Sequence, residues 1–300
     1  MNVLSLFNGI SVGRMALDKA DISVSSYFSS EIKPNALEFC KRHFPEDEKN
    51  CLGDITKIDS SKLPKIDLLI GGSPCQDFSQ ANAIRRGVEG KKSGLFYEYV
   101  RLLNELKPRW FLLENVSMKK EHENIITEEL GVEPVVINSK LVSGQLRKRL
   151  YWTNIPQNEE LKDKGIILQD VLDSGYTDRK KARCLLVSDS RPLATPVKMF
   201  HRYHATGFTT LVFKDKIHYI KCMAHYRKNF PEKTALSIDR SNIDTSIYNG
   251  IRYLNKRERA RLQNIDEKYV ENMVENEVSG LLGDSWTLDV IVHLIKGIKK

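Results

Sequence analysis

Cysteine is scarce in this chain of 300 residues, and it never occurs in a paired motif. Cys40, Cys51, Cys75, Cys184 and Cys222 are odd in number, scattered and free of any Cys-x-x-Cys. That pattern argues against a disulfide framework and a zinc ribbon and for reduced thiols. No run approaches the roughly 18 consecutive apolar residues of a membrane-spanning helix. The chain also enters a strand-like run at residues 3–7 without a secretory pattern, so a cytoplasmic protein with no membrane partner is expected. Internal repeats and low-complexity tracts are absent. So is a full Gly-x-Gly-x-x-Gly after the first strand, and any ligand held there need not carry phosphate.

What is present suits a globular protein of one large and one smaller domain, since 41% of the residues are hydrophobic. The net charge of +8 is unevenly placed. Residues 176–233 hold thirteen Lys and Arg against four Asp and Glu, a balance of +9, whereas the remainder holds 34 against 35, or −1. Tyr203, Phe208, Phe213, Tyr219, Tyr226 and Phe230 are interleaved with these basic residues, a composition that reads as a polyanion contact and makes nucleic acid the expected partner.

The first half alternates apolar strands with helical patterns, the signature of a parallel sheet with crossover helices. Strands are expected near 3–7, 24–30, 66–71, 109–114, 132–138 and 150–154, and helices over 12–19, 35–43 and 93–106. Beyond about Pro156 the alternation fades into a basic, aromatic segment with few helical stretches. Regularity returns near Ile251, and an apolar stripe of Leu288, Ile291, Val292, Ile295 and Ile298 marks the last helix.

Polar residues of interest fall at the carboxyl ends of the strands, where open α/β sheets bind ligands. Phe7-Asn8-Gly9-Ile10-Ser11-Val12-Gly13 follows the first strand, Glu31 ends the second, and Asp54 stands in Gly53-Asp54-Ile55. Together these describe an adenosine pocket, with Glu31 suited to ribose hydroxyls and Asp54 to an adenine amino group. Gly71 to Gln76 reads Gly-Gly-Ser-Pro-Cys-Gln, which presents the Cys75 thiol in a turn just past a buried strand, as suits a nucleophile. Glu114-Asn115-Val116 puts a carboxylate in an apolar setting, where desolvation is expected to raise its pKa and suit it to offering a proton. Arg147 and Arg149 share one face of a strand-like segment and can hold Glu114, a phosphate or a carbonyl.

With these residues in order, the chain resembles the DNA cytosine carbon-5 methyltransferases over essentially its full length. The resemblance rests on Phe7-x-Gly9, Glu31, Asp54, Ser73-Pro74-Cys75, Glu114-Asn115-Val116 and Gln145-x-Arg147-x-Arg149. It continues through Arg252-Tyr253-Leu254 with Glu258, Arg261-Leu262-Gln263 and Gly283-Asp284-Ser285-Trp286. In wording the motifs look closest to the animal de novo DNA methyltransferases, although a free-standing unit of this size suits a bacterial or phage enzyme. Two departures are Ser11, where many members carry glycine, and Asp284, where asparagine is commoner.

The resemblance implies an α/β, Rossmann-like S-adenosylmethionine-dependent methyltransferase domain over 1–170 and 274–300, with a small target-recognition domain over 171–273. It implies that Cys75 adds to ring carbon 6 of a flipped-out cytosine while Glu114 contacts ring nitrogen 3 and the exocyclic amine. Carbon 5 then takes the methyl of S-adenosyl-L-methionine. Arg149 is expected at the cytosine carbonyl, Arg147 against Glu114 or the flanking phosphate, and loop 77–93 as a closing lid. Phe7, Gly9, Glu31, Ile32, Asp54, Ile55, Leu95, Ser285 and Trp286 align with the family's cofactor pocket. Double-stranded DNA is the implied partner, possession of a cognate restriction endonuclease is open, and a monomer is expected.

Other readings remain at this point. A tRNA cytosine methyltransferase shares the fold and chemistry. A thymidylate-synthase-like enzyme leaves Glu31, Asp54 and the basic segment unexplained, and a non-catalytic DNA-binding relative predicts erosion of Cys75 or Glu114. Amino-group methyltransferases carry an Asp/Asn-Pro-Pro-aromatic motif instead of a cysteine. His201, His204, Cys222 and His225 have a spacing zinc can use, but histidines in basic segments more often form hydrogen bonds, and no metal ligand is assigned.

Overall fold

Four apolar runs build the centre of the protein as parallel strands: β1 (Asn2–Leu6), β2 (Ser26–Ser30), β3 (Leu68–Gly72) and β4 (Trp110–Val116). The computed structural model describes residues 1–74, 94–185, 195–207, 209–230 and 244–299. Cys75, loop 77–93, Phe208 and part of the basic segment lie outside the described residues. The chain divides into two compact units, the first of 1–138, 148–162 and 285–300, the second of 139–147 and 163–284. The second unit thus takes in 139–147, 163–170 and 274–284 beside the 171–273 read from the sequence.

In the first unit the sheet runs β2-β1-β3-β4-β6-β5. The chain leaves β1 through α1 (Val12–Lys19) and reaches β2 on one side, while β3 lies on the other. Such a reversal of direction opens a crevice at the carboxyl ends of β1 and β3. Helices α2 (Pro34–His43) and α3 (Gly94–Leu106) lie in the following crossovers. Phe96, Tyr99 and Leu102 of α3 are fully buried in a core with Leu4, Leu69 and Leu113. α4 (Lys120–Leu130), stopped by Gly131 in the left-handed conformation, precedes β5 (Val135–Asn138).

The expected all-parallel sheet is corrected at its edge. β6 (Lys148–Thr153) runs antiparallel to both β4 and β5. Only residues 139–147 separate β5 from β6, too few for the dozen-residue crossover a parallel pair requires.

The second unit is more helical than the sequence suggested. It contains α5 (Pro196–Thr206), α6 (Lys216–Asn229), α7 (Lys256–Leu262) and α8 (Glu275–Asp284). Thr195 accepts from the Lys198 amide and caps α5, with Pro196 at the first turn and Gly207 at its end. Asp215 caps α6 through the His218 amide. The aromatic residues read as a polyanion contact are largely a core. Tyr203, Phe213, Tyr226 and Phe230 are buried with Phe200 and Tyr248, and Phe200 meets the rings of Tyr203, Phe213, Tyr226 and Tyr248 at centroid distances of 5.7, 5.9, 5.3 and 5.1 Å. Rings engaged with one another in this way cannot also stack on bases.

The final helix α9 (Leu288–Ile295) returns to the first unit, where its buried Leu288, Val290, Ile291, Leu294 and Ile295 pack beside α1. Residues Glu275–Lys299 are long and apolar enough to cross a membrane by length and composition, but Ser285 to Thr287 interrupt them and two thirds of the apolar window is buried. These are core helices of the fold.

Candidate active site

The first loop is wrapped around a carboxylate. After β1 the chain takes positive φ at Phe7 (55°), Gly9 (55°) and Ser11 (58°). This coil turns the Gly9 amide onto Glu31 Oε2 at 2.8 Å, and Glu31 Oε1 accepts the amides of Ile32 (2.8 Å) and Lys33 (2.9 Å). Three backbone donors therefore fix Glu31 at the end of β2. Beside it Ile32 leaves 69% of its surface exposed. A Cβ added at Gly9 or Gly53 would meet nothing within 4 Å, so both glycines border open space. Asp54 Oδ1 accepts from the amide of Thr56 at 3.0 Å and its hydroxyl at 2.9 Å, bonds that hold the Asp54 carboxyl below the usual carboxylate range. An anchored carboxylate, an uncovered apolar side chain and an ionised aspartate are a donor set whose chemistry fits the adenosine part of S-adenosylmethionine. Ile55, the residue after Asp54, anchors this turn and is 4% exposed within the main core, against which Leu95 also packs.

Glu114 stands at the centre of the second cluster. Parallel pairing sets Gly72 of β3 opposite Glu114 of β4, and antiparallel pairing sets Tyr151 opposite Glu114 and Arg149 opposite Val116. Arg149 is therefore the same-face diagonal neighbour of Glu114. Its Nε lies 3.0 Å from Glu114 Oε1, while Trp286 Nε1 donates to Oε2 at 3.1 Å. Glu114 as a whole is 9% exposed. The apolar setting foreseen for it thus carries two aimed donors, one of them charged. A Cβ at Gly72 would stand 3.0 Å from both Glu114 Oε2 and Trp286 Nε1, so these groups close more tightly around the strand end over glycine than they could over a larger residue. One residue further along each chain segment, Asn115 Nδ2 donates to Ser73 Oγ at 3.1 Å, with both residues buried. That bond ties the Ser73-Pro74 turn, which leads into Cys75, to the strand carrying Glu114.

The two arginines separate. Arg149 lies in the first unit on Glu114, whereas Arg147 belongs to the second, is 4% exposed and donates to the Gly283 carbonyl and Cys184 Sγ, each at 3.2 Å. Gln145 likewise supports the second unit, donating to the Leu262 carbonyl at 2.6 Å and Gln263 Oε1 at 2.9 Å. Sequence reading placed Trp286 and Ser285 only in the cofactor pocket. Ser285 is buried at 7% exposure, and the indole of Trp286 also grips the Glu114 carboxylate. Gly72 and the Asn115–Ser73 bond had no part in the site as read from sequence. The signal for both lay in their positions, adjoining Cys75 and Glu114 in their motifs.

The histidines are occupied elsewhere. His201 Nδ1 lies 3.0 Å from the Tyr226 hydroxyl, His225 Nδ1 lies 3.0 Å from the Tyr248 hydroxyl, and Cys222 Sγ donates to the Ile247 carbonyl at 3.3 Å. His204 stacks on Tyr226 at 4.3 Å. Among the described residues no group of three His, Cys, Asp or Glu side chains is placed to hold a metal.

Several known proteins resemble this one. Orphan methyltransferase M.SPRI of Bacillus phage SPR is 33% identical over 224 residues, covering 72% of this chain and 49% of its own length. Type II methyltransferase M1.ScrFI of Lactococcus lactis subsp. cremoris is 29% identical over 318 residues, covering 96% of this chain and 75% of its own. The chain spans about half the length of M.SPRI, and 37% of that of a second phage enzyme, M.Rho11sI of Bacillus phage rho11s. In fold it is similar to a mutant DNMT2 of Spodoptera frugiperda, with a TM-score of 0.74, 17% identity and coverage of 100% of this chain and 99% of that one. The sheet order, the crevice over β1 and β3, the ordered motifs and a family match over residues 1–300 agree, and the chain belongs to the C-5 cytosine-specific DNA methylases.

Proposed function

We propose that this protein transfers a methyl group from S-adenosyl-L-methionine to carbon 5 of cytosine in double-stranded DNA. One observation carries the reading: the Glu114 carboxylate is held between Arg149 and Trp286 at a strand end, tethered through Asn115 and Ser73 to the turn that leads into Cys75. Cytosine is a poor carbon nucleophile and needs activation. Cys75 is placed in sequence to supply the thiolate that adds to ring carbon 6. Glu114 in its protonated form donates its carboxyl hydrogen to ring nitrogen 3 while its other oxygen accepts from the exocyclic amine, so the proton at nitrogen 3 holds the electron density that addition pushes into the ring. Arg149 and Trp286 keep the carboxylate oriented as charge develops. S-adenosylmethionine supplies the methyl group. A water molecule acting as base then takes the carbon 5 proton, the carbon 5–carbon 6 double bond re-forms, and the carbon 6–sulfur bond breaks to release the Cys75 thiolate. Because the ring atoms lie inside the base stack, the cytosine must leave the duplex.

The second unit is the proposed target-recognition part. Lys216, Ile217, Ile220, Lys221, Ala224, Arg227 and Lys228 are exposed along α6 and recur at helix spacing. Four basic residues on one face suit phosphate binding, and the two isoleucines, 65% and 54% exposed, suit apolar packing against base edges. The reading takes the enzyme as a monomer and does not depend on a companion restriction endonuclease. Bisulfite sequencing of duplex DNA incubated with the protein and S-adenosylmethionine tests it: protected cytosines within a repeated word are expected. Methylation of tRNA with none of DNA would replace this reading by the RNA one.

A further inference from the structure

The loop that holds Glu31 is an improbable stretch of backbone. Within five residues, Phe7 and Ser11 take positive φ without being glycine, a cost that persists only where the surroundings over-determine the conformation. Beneath the loop lies a line of four side chains drawn from β2, α2 and the loop itself. The Tyr27 hydroxyl donates to Asn8 Oδ1 at 3.0 Å, Asn8 Nδ2 donates to Ser11 Oγ at 2.7 Å, and Ser11 Oγ lies 3.2 Å from Cys40 Sγ. Cys40 Sγ in turn donates to the Gly9 carbonyl at 3.3 Å.

Only one direction gives every link a proton. Cys40 spends its single hydrogen on the Gly9 carbonyl, so its sulfur must accept from Ser11. Ser11 spends its hydrogen on that sulfur and accepts from the Asn8 amide, whose orientation is fixed by Tyr27. The line thus starts at Tyr27, 1% exposed in the core, and ends on the residue whose amide binds Glu31. Burial pushes the Cys40 thiol up to about 11, which keeps the hydrogen it donates.

We infer that Tyr27, Asn8, Ser11 and Cys40 form a hydrogen-bond chain that positions the Phe7–Ser11 loop, and through Gly9 the Glu31 carboxylate, for the adenosine part of the cofactor. Cys40 is a positioning residue in this chain and touches no reacting atom. The inference rests on the proposed use of S-adenosylmethionine.

Calorimetric titration of the whole protein with S-adenosylhomocysteine tests it, alongside KM for S-adenosylmethionine and kcat. Cys40→Ala is expected to weaken binding by about tenfold, the scale of one buried hydrogen bond, and to raise KM similarly with kcat changed less than about twofold. Cys40→Ser, which keeps a donor and an acceptor, should recover most of the affinity. Ser11→Gly is the sharper variant, because glycine accepts φ 58° without strain while both hydroxyl links are removed, leaving Asn8 and Cys40 joined only by their longer direct contact of 3.5 Å. Weaker binding by Ser11→Gly in a protein of undiminished thermal stability supports the chain. Unchanged binding in both Cys40→Ala and Ser11→Gly overturns it. Failure of the wild-type protein itself to bind the homocysteine product would overturn the cofactor reading instead.

Discussion

The indole of Trp286 donates to Glu114 at 3.1 Å across 172 positions of sequence, and a Cβ at position 72 would stand 3.0 Å from both groups. Arg149 completes the grip at 3.0 Å. The proposed acid is thus placed by three elements that meet only in the folded sheet.

Removing the indole donor while keeping a ring should therefore be felt in the chemical step. Trp286→Phe is expected to lower kcat by about 10- to 100-fold, the range for a hydrogen bond to a charged group. Gly72→Ala should lower it by a smaller factor, because its Cβ would push Glu114 or Trp286 by a few tenths of an ångström. Single-turnover methylation with far-ultraviolet circular dichroism as the folding control measures both.

The two carboxylates should separate by function. Glu114→Gln is expected to depress turnover by about 100- to 10,000-fold with little change in cofactor affinity, and Glu31→Ala to weaken S-adenosylhomocysteine binding. Calorimetry beside kinetics distinguishes them, and the assignment fails if the two phenotypes are exchanged.

Charge removal on α6 should flatten the salt dependence of DNA binding. Alanine in place of Lys216, Lys221, Arg227 or Lys228 leaves one phosphate with its counterions, and each such replacement is expected to reduce the logarithmic salt slope by roughly 0.9. Ile217→Ala and Ile220→Ala should instead alter which cytosines are methylated. A salt series and methylation mapping on a random library read these effects.

Acid should loosen the second unit. Burial, followed by the nearby Arg227, holds His204 below the ordinary histidine value of 6.5. The unfolded chain gains this proton as pH falls through about 6.5 while the folded protein resists it. The His204 contribution is accordingly complete above that pH and is lost as pH falls through the depressed folded value. His204→Phe, which keeps the ring against Tyr226, should reduce the loss of thermal stability between about pH 7 and 5. An unaltered pH profile would contradict this.

Much of the first unit was legible because its strands are short apolar runs and its ligand-binding residues follow them directly. The positions of Glu31 and Glu114 followed from strand ends alone. The antiparallel β6 was legible in principle, since residues 139–147 leave no room for a crossover helix. What failed was composition. Tyr203, Phe213 and Tyr226 among lysines look alike whether they stack on bases or on one another, and only the fold decides. α6 was hidden because β-branched and aromatic residues favour helix weakly, yet its Asp215 cap and the Thr195-Pro196 to Gly207 frame of α5 were readable start and stop signals. The Trp286–Glu114 bond had no local signal at all.

Covalent trapping tests the central claim most directly. Duplex DNA with 5-fluorocytosine at the methylated position cannot lose its carbon 5 substituent, so the enzyme should remain attached through Cys75. With S-adenosylmethionine present, wild-type protein is expected to form an adduct stable to denaturing electrophoresis, and Cys75→Ala none. Equal trapping of both proteins, or no trapping of a wild-type protein that methylates DNA, would contradict the mechanism.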